Sequence, residues 1–295
     1  MKNRRLGEHT FNAVNLLLMI AVTFVCVYPF YYVIIYSVSE PVNAFGKVFL
    51  LPYGFNLTTY SQLFKSETIY FSAIISVLRT CIGTVVTLFC SGLFAFVFIH
   101  NMPLKHVLYR LLVITMYFNA GLIPWYLTMR TLHLNNNFLL YILPSAVNAF
   151  YVVIMKTFYE SIPLSLEESA MLDGAGYLQV YMRIIVPVSK PITATVAVFA
   201  AVTQWNSWMD TYFLVTDPRL KTLQVTLYEF LRDASQWSRM SSSQLSSALG
   251  QAPPPITADS VKAAITVIVT LPILFVYPFL QKHLTKGLML GAIKG

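Results

Sequence analysis

The sequence predicts an all-α integral membrane protein with six transmembrane helices, and three observations carry that prediction. Hydrophobic types make up 57% of the 295 residues and charged types only 11%; an ordinary soluble domain is about 25% charged. Apolar runs reach, six times over, the roughly 20 residues that a helix needs to cross about 30 Å of hydrocarbon. The period-2 alternation of a membrane β-barrel is absent from these runs. In lipid every backbone group has to be bonded within the protein, so apolar runs of this length are helices.

The first run, 13–38, is too long for the apolar part of a signal peptide and lacks a small-residue cleavage site, so it is expected to be a span. The second, 69–99, is long enough to require tilt or an extension into water. The third, 107–129, contains Asn119, Gly121 and Pro124, which should break it. The fourth is 138–158, the fifth 191–215 and the sixth 261–281. No internal repeat is found, and residues 1–295 read as a single transmembrane domain.

Orientation follows from Lys and Arg in short flanks. Lys2, Arg4 and Arg5, then Lys105 with Arg110, then Lys282, Lys286 and Lys294 fall on one side of a six-span chain. The opposite short segments offer Lys47, Lys65 and Arg130. The expectation is both termini inside, with a cytoplasmic loop at 159–190 and an extracellular loop at 217–258. The net charge of +8 is then the cytoplasmic flanking charge of a membrane protein, not a nucleic-acid surface.

Several chemistries are not supported. Cys26, Cys81 and Cys90 all lie in apolar runs, which argues against a disulfide framework or a zinc site. His100, His106 and His283 flank spans without metal-ligand spacing. No catalytic constellation and no metal site are expected. There is no G-x-x-x-x-G-K-[ST] phosphate loop, so any ATP-driven step must belong to another chain.

The 159–190 loop is the most informative stretch. It reads as a short helix, a glycine break, a second short helix and a proline stop. Ser165 with Glu168 three residues on forms a capping box, Gly174 and Gly176 suit left-handed helix ends, and Pro187 and Pro191 end the second helix. Local chemistry alone makes Glu168 a capping partner and Gly174 a helix terminus. Yet Glu160, Glu167, Glu168 and Asp173 sit on the side that gathers cations. Leu164, Leu166, Ala170, Met171, Ala175 and Leu178 accompany them outside the bilayer. Such a pair of amphipathic helices suits a docking surface for another protein.

This stretch resembles the E-A-A-x-x-x-G motif of ABC-importer permease subunits. Glu168, Ala170, Asp173, Gly174, Ala175 and Pro187 fall on its extended form, and Ser169 replaces the first Ala. Further stretches resemble the maltose-permease-like carbohydrate-uptake branch: Tyr28–Tyr31, Phe55–Tyr60 with Leu63 and Phe64, Ala120–Leu127, Gln204–Trp208, Leu271–Pro278 and the ending Lys286–Gly295. The resemblance spans the chain, apart from the Ser- and Pro-rich 238–255 insert.

It implies a type I ABC-importer permease fold in the cell membrane, and one half of a pathway for a carbohydrate, an oligosaccharide in this branch. It also implies a homologous second permease, two ABC ATPases and an extracellular, lipid-anchored binding protein. ATP and Mg would sit on the ATPases, with no cofactor on this chain. The 161–187 segment would be the coupling helix that enters a groove on the ATPase. The tail, with Gly291, Lys294 and Gly295, would reach the ATPase dimer interface.

Polar residues inside spans usually face the bundle or a pore. Arg79 reads as a structural arginine or a pathway residue, and Asn119 as a kink or a pathway residue. Trp205, Asn206, Trp208 and Asp210 read as an interfacial belt or as a sugar-binding cluster. The rival functions are a single-component secondary transporter and a membrane enzyme. The first would favour internal repeats and paired intramembrane carboxylates, and the second clustered acids and histidines at membrane depth.

Overall fold

The computed structural model of the chain describes residues 2–41, 44, 46, 50–237, 257 and 259–274. Among them every named element is helical, and β-structure is limited to one isolated bridge, Ser39 with Phe55. The anticipated tail residues Gly291, Lys294 and Gly295, the 238–255 insert and the end of the sixth run lie outside the described residues.

The chain divides into two compact units. The first, Met1–Ser66 with Leu227–Leu271, is built on α1 (Lys2–Ser37), α2 (Thr58–Phe64) and the helical residues 259–271. Along α1 apolar side chains such as Phe11, Leu17 and Val25 are exposed on all sides, which suits a helix whose surroundings are lipid or another protein. Its last turn packs through Ile35 and Tyr36 against Ala44 and Ala263. The Ser37 and Tyr60 hydroxyls share a 2.7 Å hydrogen bond, and Thr257 Oγ1 donates to the Pro41 carbonyl at 3.1 Å.

The second unit, Glu67–Thr226 with Pro272–Gly295, centres on α3 (Glu67–Ile99). The buried face of α3 is a stripe of small residues, with Ser72, Ser76, Gly83, Thr87, Ser91, Gly92 and Ala95 at helical spacing. Small residues let helices approach closely where no hydrophobic effect drives them together. At Gly83 a Cβ would lie 2.5 Å from Gln204 Nε2, and at Gly92 2.5 Å from the Tyr181 hydroxyl. Both separations are shorter than packed atoms tolerate. Against this stripe pack α6 (Ala149–Tyr159) and α10 (Lys190–Asn206).

Two helices among the described residues, Phe11–Ser37 and Glu67–Ile99, are each long and apolar enough to cross a membrane alone. The third run is α4 (Lys105–Ile114) and α5 (Leu122–Thr131) with a break between them. Gly121 there has φ +83°, and its N–H donates to Asn119 Oδ1 at 2.9 Å, so the residues expected to break the run do so.

The fourth run departs from expectation. A continuous helix over 138–158 is replaced by a 3₁₀ turn (Phe138–Tyr141), irregular chain past Pro144, and α6. With 11 residues, α6 rises only about 16 Å. The cause is side-chain supply. Thr87 Oγ1 donates to the Ser145 carbonyl at 2.9 Å, Gln204 Nε2 to the Tyr141 carbonyl at 3.3 Å, and the Asn148 N–H to Ser91 Oγ at 3.1 Å. These bonds satisfy backbone groups that the missing helical turns leave open. The fifth run is likewise split, into α10 and α11 (Met209–Leu214).

Candidate functional site

The 159–190 loop folds as two short helices, α7 (Leu164–Leu172) and α8 (Tyr177–Val180). The expected capping box is not formed. Helix α7 starts directly after Pro163, which occupies the N-cap with extended backbone, and this places Ser165 inside the first turn. Glu168 is therefore not a cap: its side chain is exposed and makes no hydrogen bond or ion pair among the described residues.

The far end of α7 matches the expectation at Gly174. Its φ is +86°, its N–H donates to the Met171 carbonyl at 3.0 Å, and the Ala175 N–H donates to the Ala170 carbonyl at 2.9 Å. This pair of crossed hydrogen bonds around a left-handed glycine is a Schellman closure. Gly176 differs: with φ −76° it opens α8, and its N–H donates to Gln179 Oε1 at 3.2 Å.

Nor does Pro187 stop the second helix. A π-helical turn over Tyr181–Ile185 leads into α9 (Val186–Val188), and the chain then bends by 86° at Ser189 before α10. A proline has no amide to donate and its ring crowds the carbonyl one turn back, so the preceding turn opens. Pro191 sits in the first turn of α10, where the missing donor costs nothing.

The loop has two faces. Ala170, Met171 and Ala175 pack onto the cluster around Tyr159, Val180 and Tyr181. Burial raises the Tyr181 phenol above its ordinary pKa, so it stays neutral. Leu164, Leu166, Leu172 and Leu178 point outward, and Leu172 is 89% exposed. Ser169 and Asp173 are exposed beside Glu168. The acidic set is smaller than expected, because Glu167 is only 4% exposed and lies 2.9 Å from His100 Nε2. Sequence reasoning missed Leu172, the burial of Glu167 and the use of His100.

A second constellation lies where the broken runs meet inside the same unit. Arg79 donates through Nε to Gln204 Oε1 at 3.0 Å, and through Nη1 to Asp210 Oδ1 at 3.0 Å and to the Ser207 carbonyl at 3.3 Å; Nη2 meets Asp210 Oδ2. Its guanidinium stands 4.6 Å from the Tyr141 ring centroid. Ser207 ends α10, so Arg79 satisfies a carbonyl that the break releases.

These residues line an open cleft of about 490 Å³ with Asn119, Trp125 and Ser145. Arg79, Asn119 and Asp210 are thus brought together. Trp205, Asn206 and Trp208 are not part of the cleft lining. Asn206 Oδ1 accepts from Gln224 at 3.3 Å, and Trp208 packs edge-on to Tyr212. The cleft offers aromatic faces and amide, hydroxyl and ionic groups, a mixture suited to a polyhydroxylated ligand.

Residues 83–289 match the family described as "Binding-protein-dependent transport system inner membrane component". Over 297 residues the chain is 38% identical to the polygalacturonan/rhamnogalacturonan transport system permease protein YtcP of Bacillus subtilis (strain 168), covering all of both chains. It is 35% identical to Protein LplC of the same organism, over all of this chain and 98% of that one. Among solved structures it is similar to a chain in the crystal structure of a bacterial ABC transporter involved in the import of the acidic polysaccharide alginate. The TM-score is 0.83 at 29% identity, with 94% of this chain and 97% of that chain covered.

Proposed function

We propose, from the premise that the chain belongs to the family of binding-protein-dependent transport system inner membrane components, that it forms half of the translocation pathway of an ATP-driven oligosaccharide importer. A multi-pass permease subunit of this kind is not an enzyme. Its role is mechanical: alternating access by rigid-body rocking of helices.

The partners are a homologous second permease, two ABC ATPases that hold ATP and Mg, and an extracellular, lipid-anchored binding protein. The six runs 13–38, 69–99, 107–129, 138–158, 191–215 and 261–281 cross the membrane with both termini inside. The third to fifth do so as broken helices. Glu168, Ser169 and Asp173 form the contact to the ATPase, Ala170, Gly174 and Ala175 set the shape of the helix end behind them, and the tail with Gly291, Lys294 and Gly295 adds to it. Asn119, Arg79 and Asp210 border the sugar path, with Trp205, Asn206 and Trp208 nearer its mouth. Two relatives are described by acidic polymers, polygalacturonan/rhamnogalacturonan and alginate, which favours an oligosaccharide bearing uronic acids as the substrate class.

The observation that carries the ATPase contact is the outward face of α7. Leu172 is exposed beside unpartnered Glu168, on a helix fixed from behind by Ala170, Met171 and Ala175. The test is uptake of oligogalacturonides into proteoliposomes. Uptake should need the partner permease, the binding protein, the ATPases and enclosed Mg·ATP together. Uptake by the purified chain alone would instead identify a secondary transporter.

A further inference from the structure

The loop is joined covalently to α6 and α10 but not to α3, the long central helix. Its two short helices meet the end of α3 through the apolar cluster that joins Ala170, Met171 and Val180 to Ala95, Phe96 and Phe98, and through the polar side chain of His100, the residue after α3. The Nδ1 of His100 lies 2.9 Å from the Phe96 carbonyl and its Nε2 lies 2.9 Å from Glu167 Oε2. A carbonyl can only accept, so Nδ1 carries a proton. Nε2 and the carboxylate then share one more proton, as imidazolium with carboxylate or as imidazole with carboxylic acid. Either arrangement is neutral overall, which is how a carboxylate only 4% exposed is accommodated. The imidazole is also held edge to face by Phe96 at 4.5 Å and by Tyr177, the first residue of α8, at 5.2 Å. One ring therefore grips α7 through Glu167 and α8 through Tyr177.

We infer that His100 is a positioning residue that makes the loop and α3 move as one body during transport. A displacement imposed at the outward face of α7 is then handed to α3 instead of being absorbed at the Gly174 break. Helix α3 carries Arg79 about 30 Å from His100, at 1.5 Å per residue, so the same rigid rod reaches the polar cleft. The inference rests on the assignment of the loop as the ATPase contact.

The test uses the assembled transporter with Cys26, Cys81 and Cys90 replaced and spin labels at Leu164→Cys and Val97→Cys. Distances are compared without nucleotide and after trapping with Mg·ATP and vanadate. In the otherwise native chain the distribution should be the same in both states. His100→Phe and Glu167→Ala should shift and widen it on trapping, and ATP hydrolysis should continue while uptake is lost. Glu167→Gln should behave as the native chain, because its amide N–H can donate to Nε2 of a neutral imidazole. Glu167→Asp, which withdraws the carboxylate by one methylene, replaces the harsher variants should they fail to assemble, and should widen the distribution to a lesser degree. A state-independent distance in the clasp variants would overturn the inference, as would a widened one in Glu167→Gln. The ATPase assignment fails separately, if the enzyme is recovered undiminished with a Leu172→Asp chain.

Discussion

The Asp210 carboxylate takes both arms of the Arg79 guanidinium, across 131 residues of sequence, with Arg79 3% and Asp210 9% exposed. The pair ties the middle of α3 to the start of α11, at the point where the fifth run breaks. A buried ion pair adds little net stability over apolar replacements, but removing one partner strands the other charge.

Arg79→Leu or Asp210→Leu should therefore each lower stability by about 3–5 kcal/mol. The double replacement Arg79→Leu with Asp210→Leu should cost less than the two single losses added together. Unfolding midpoints of the purified protein in detergent measure this. Losses that simply add would mean the two side chains do not depend on each other.

Gly92 supplies a second test of close packing. An alanine methyl there would meet the Tyr181 hydroxyl at 2.5 Å and Met155 Cε at 3.0 Å. Overpacking of this size costs about 1–3 kcal/mol, so Gly92→Ala should lower the melting temperature. Adding Tyr181→Phe removes the nearer atom and should recover part of the loss. No recovery in the double variant would show that the helix spacing at this site is set elsewhere.

What the sequence made legible was what has a local cause. Gly174 is legible because a left-handed residue after a helix depends on its own backbone. The break at Asn119 and Gly121 has the same origin. The pattern Ser165 to Glu168 suggests a capping box, but Pro163, two residues earlier, sets where α7 begins. The fourth run satisfies the length rule for one helix by its apolar content alone. The side chains that let it break, from Ser91, Thr87 and Gln204, come from distant parts of the chain. The pairing of His100 with Glu167 across 67 residues left no trace in either local pattern. Charged and polar residues in apolar runs signalled that a polar site exists, but not which of them share it. Asp210 turns inward, while its neighbours Trp205, Asn206 and Trp208 lie off the cleft.

Gly174 separates backbone strain from steric exclusion. Its φ of +86° disfavours any residue with a Cβ, yet nothing lies within 4 Å of where that Cβ would be. Strain alone costs about 1–2 kcal/mol, and asparagine tolerates the left-handed region best among non-glycine residues. Gly174→Asn should thus retain more ATPase on co-purification than Gly174→Ala, and Gly174→Val the least. Equal and complete loss in all three would instead mean that the partner backbone approaches this glycine too closely for any side chain.

Leu172 gives the most direct prediction about the interface. At 89% exposed, it contributes little to the fold of this chain, and surface replacements of that kind usually change stability by less than about 0.5 kcal/mol. An exposed apolar side chain at the end of a docked helix has the opposite standing in the complex, where truncation of an anchoring residue costs about 2 kcal/mol or more. Placing a carboxylate there adds the cost of burying a charge without a partner. Leu172→Asp should therefore leave membrane insertion and the melting temperature of the isolated permease unchanged, while the recovery of ATPase falls at least tenfold. Glu168→Ala should give a smaller loss, since an exposed charge that pairs at an interface rim contributes less than a buried anchor. Co-purification at two salt concentrations distinguishes them. The Glu168 contribution should shrink as salt rises, because exposed charge pairs are screened over about 8–10 Å, whereas the Leu172 contribution should not. Full ATPase recovery with Leu172→Asp at either salt concentration would place the docking surface elsewhere on the chain.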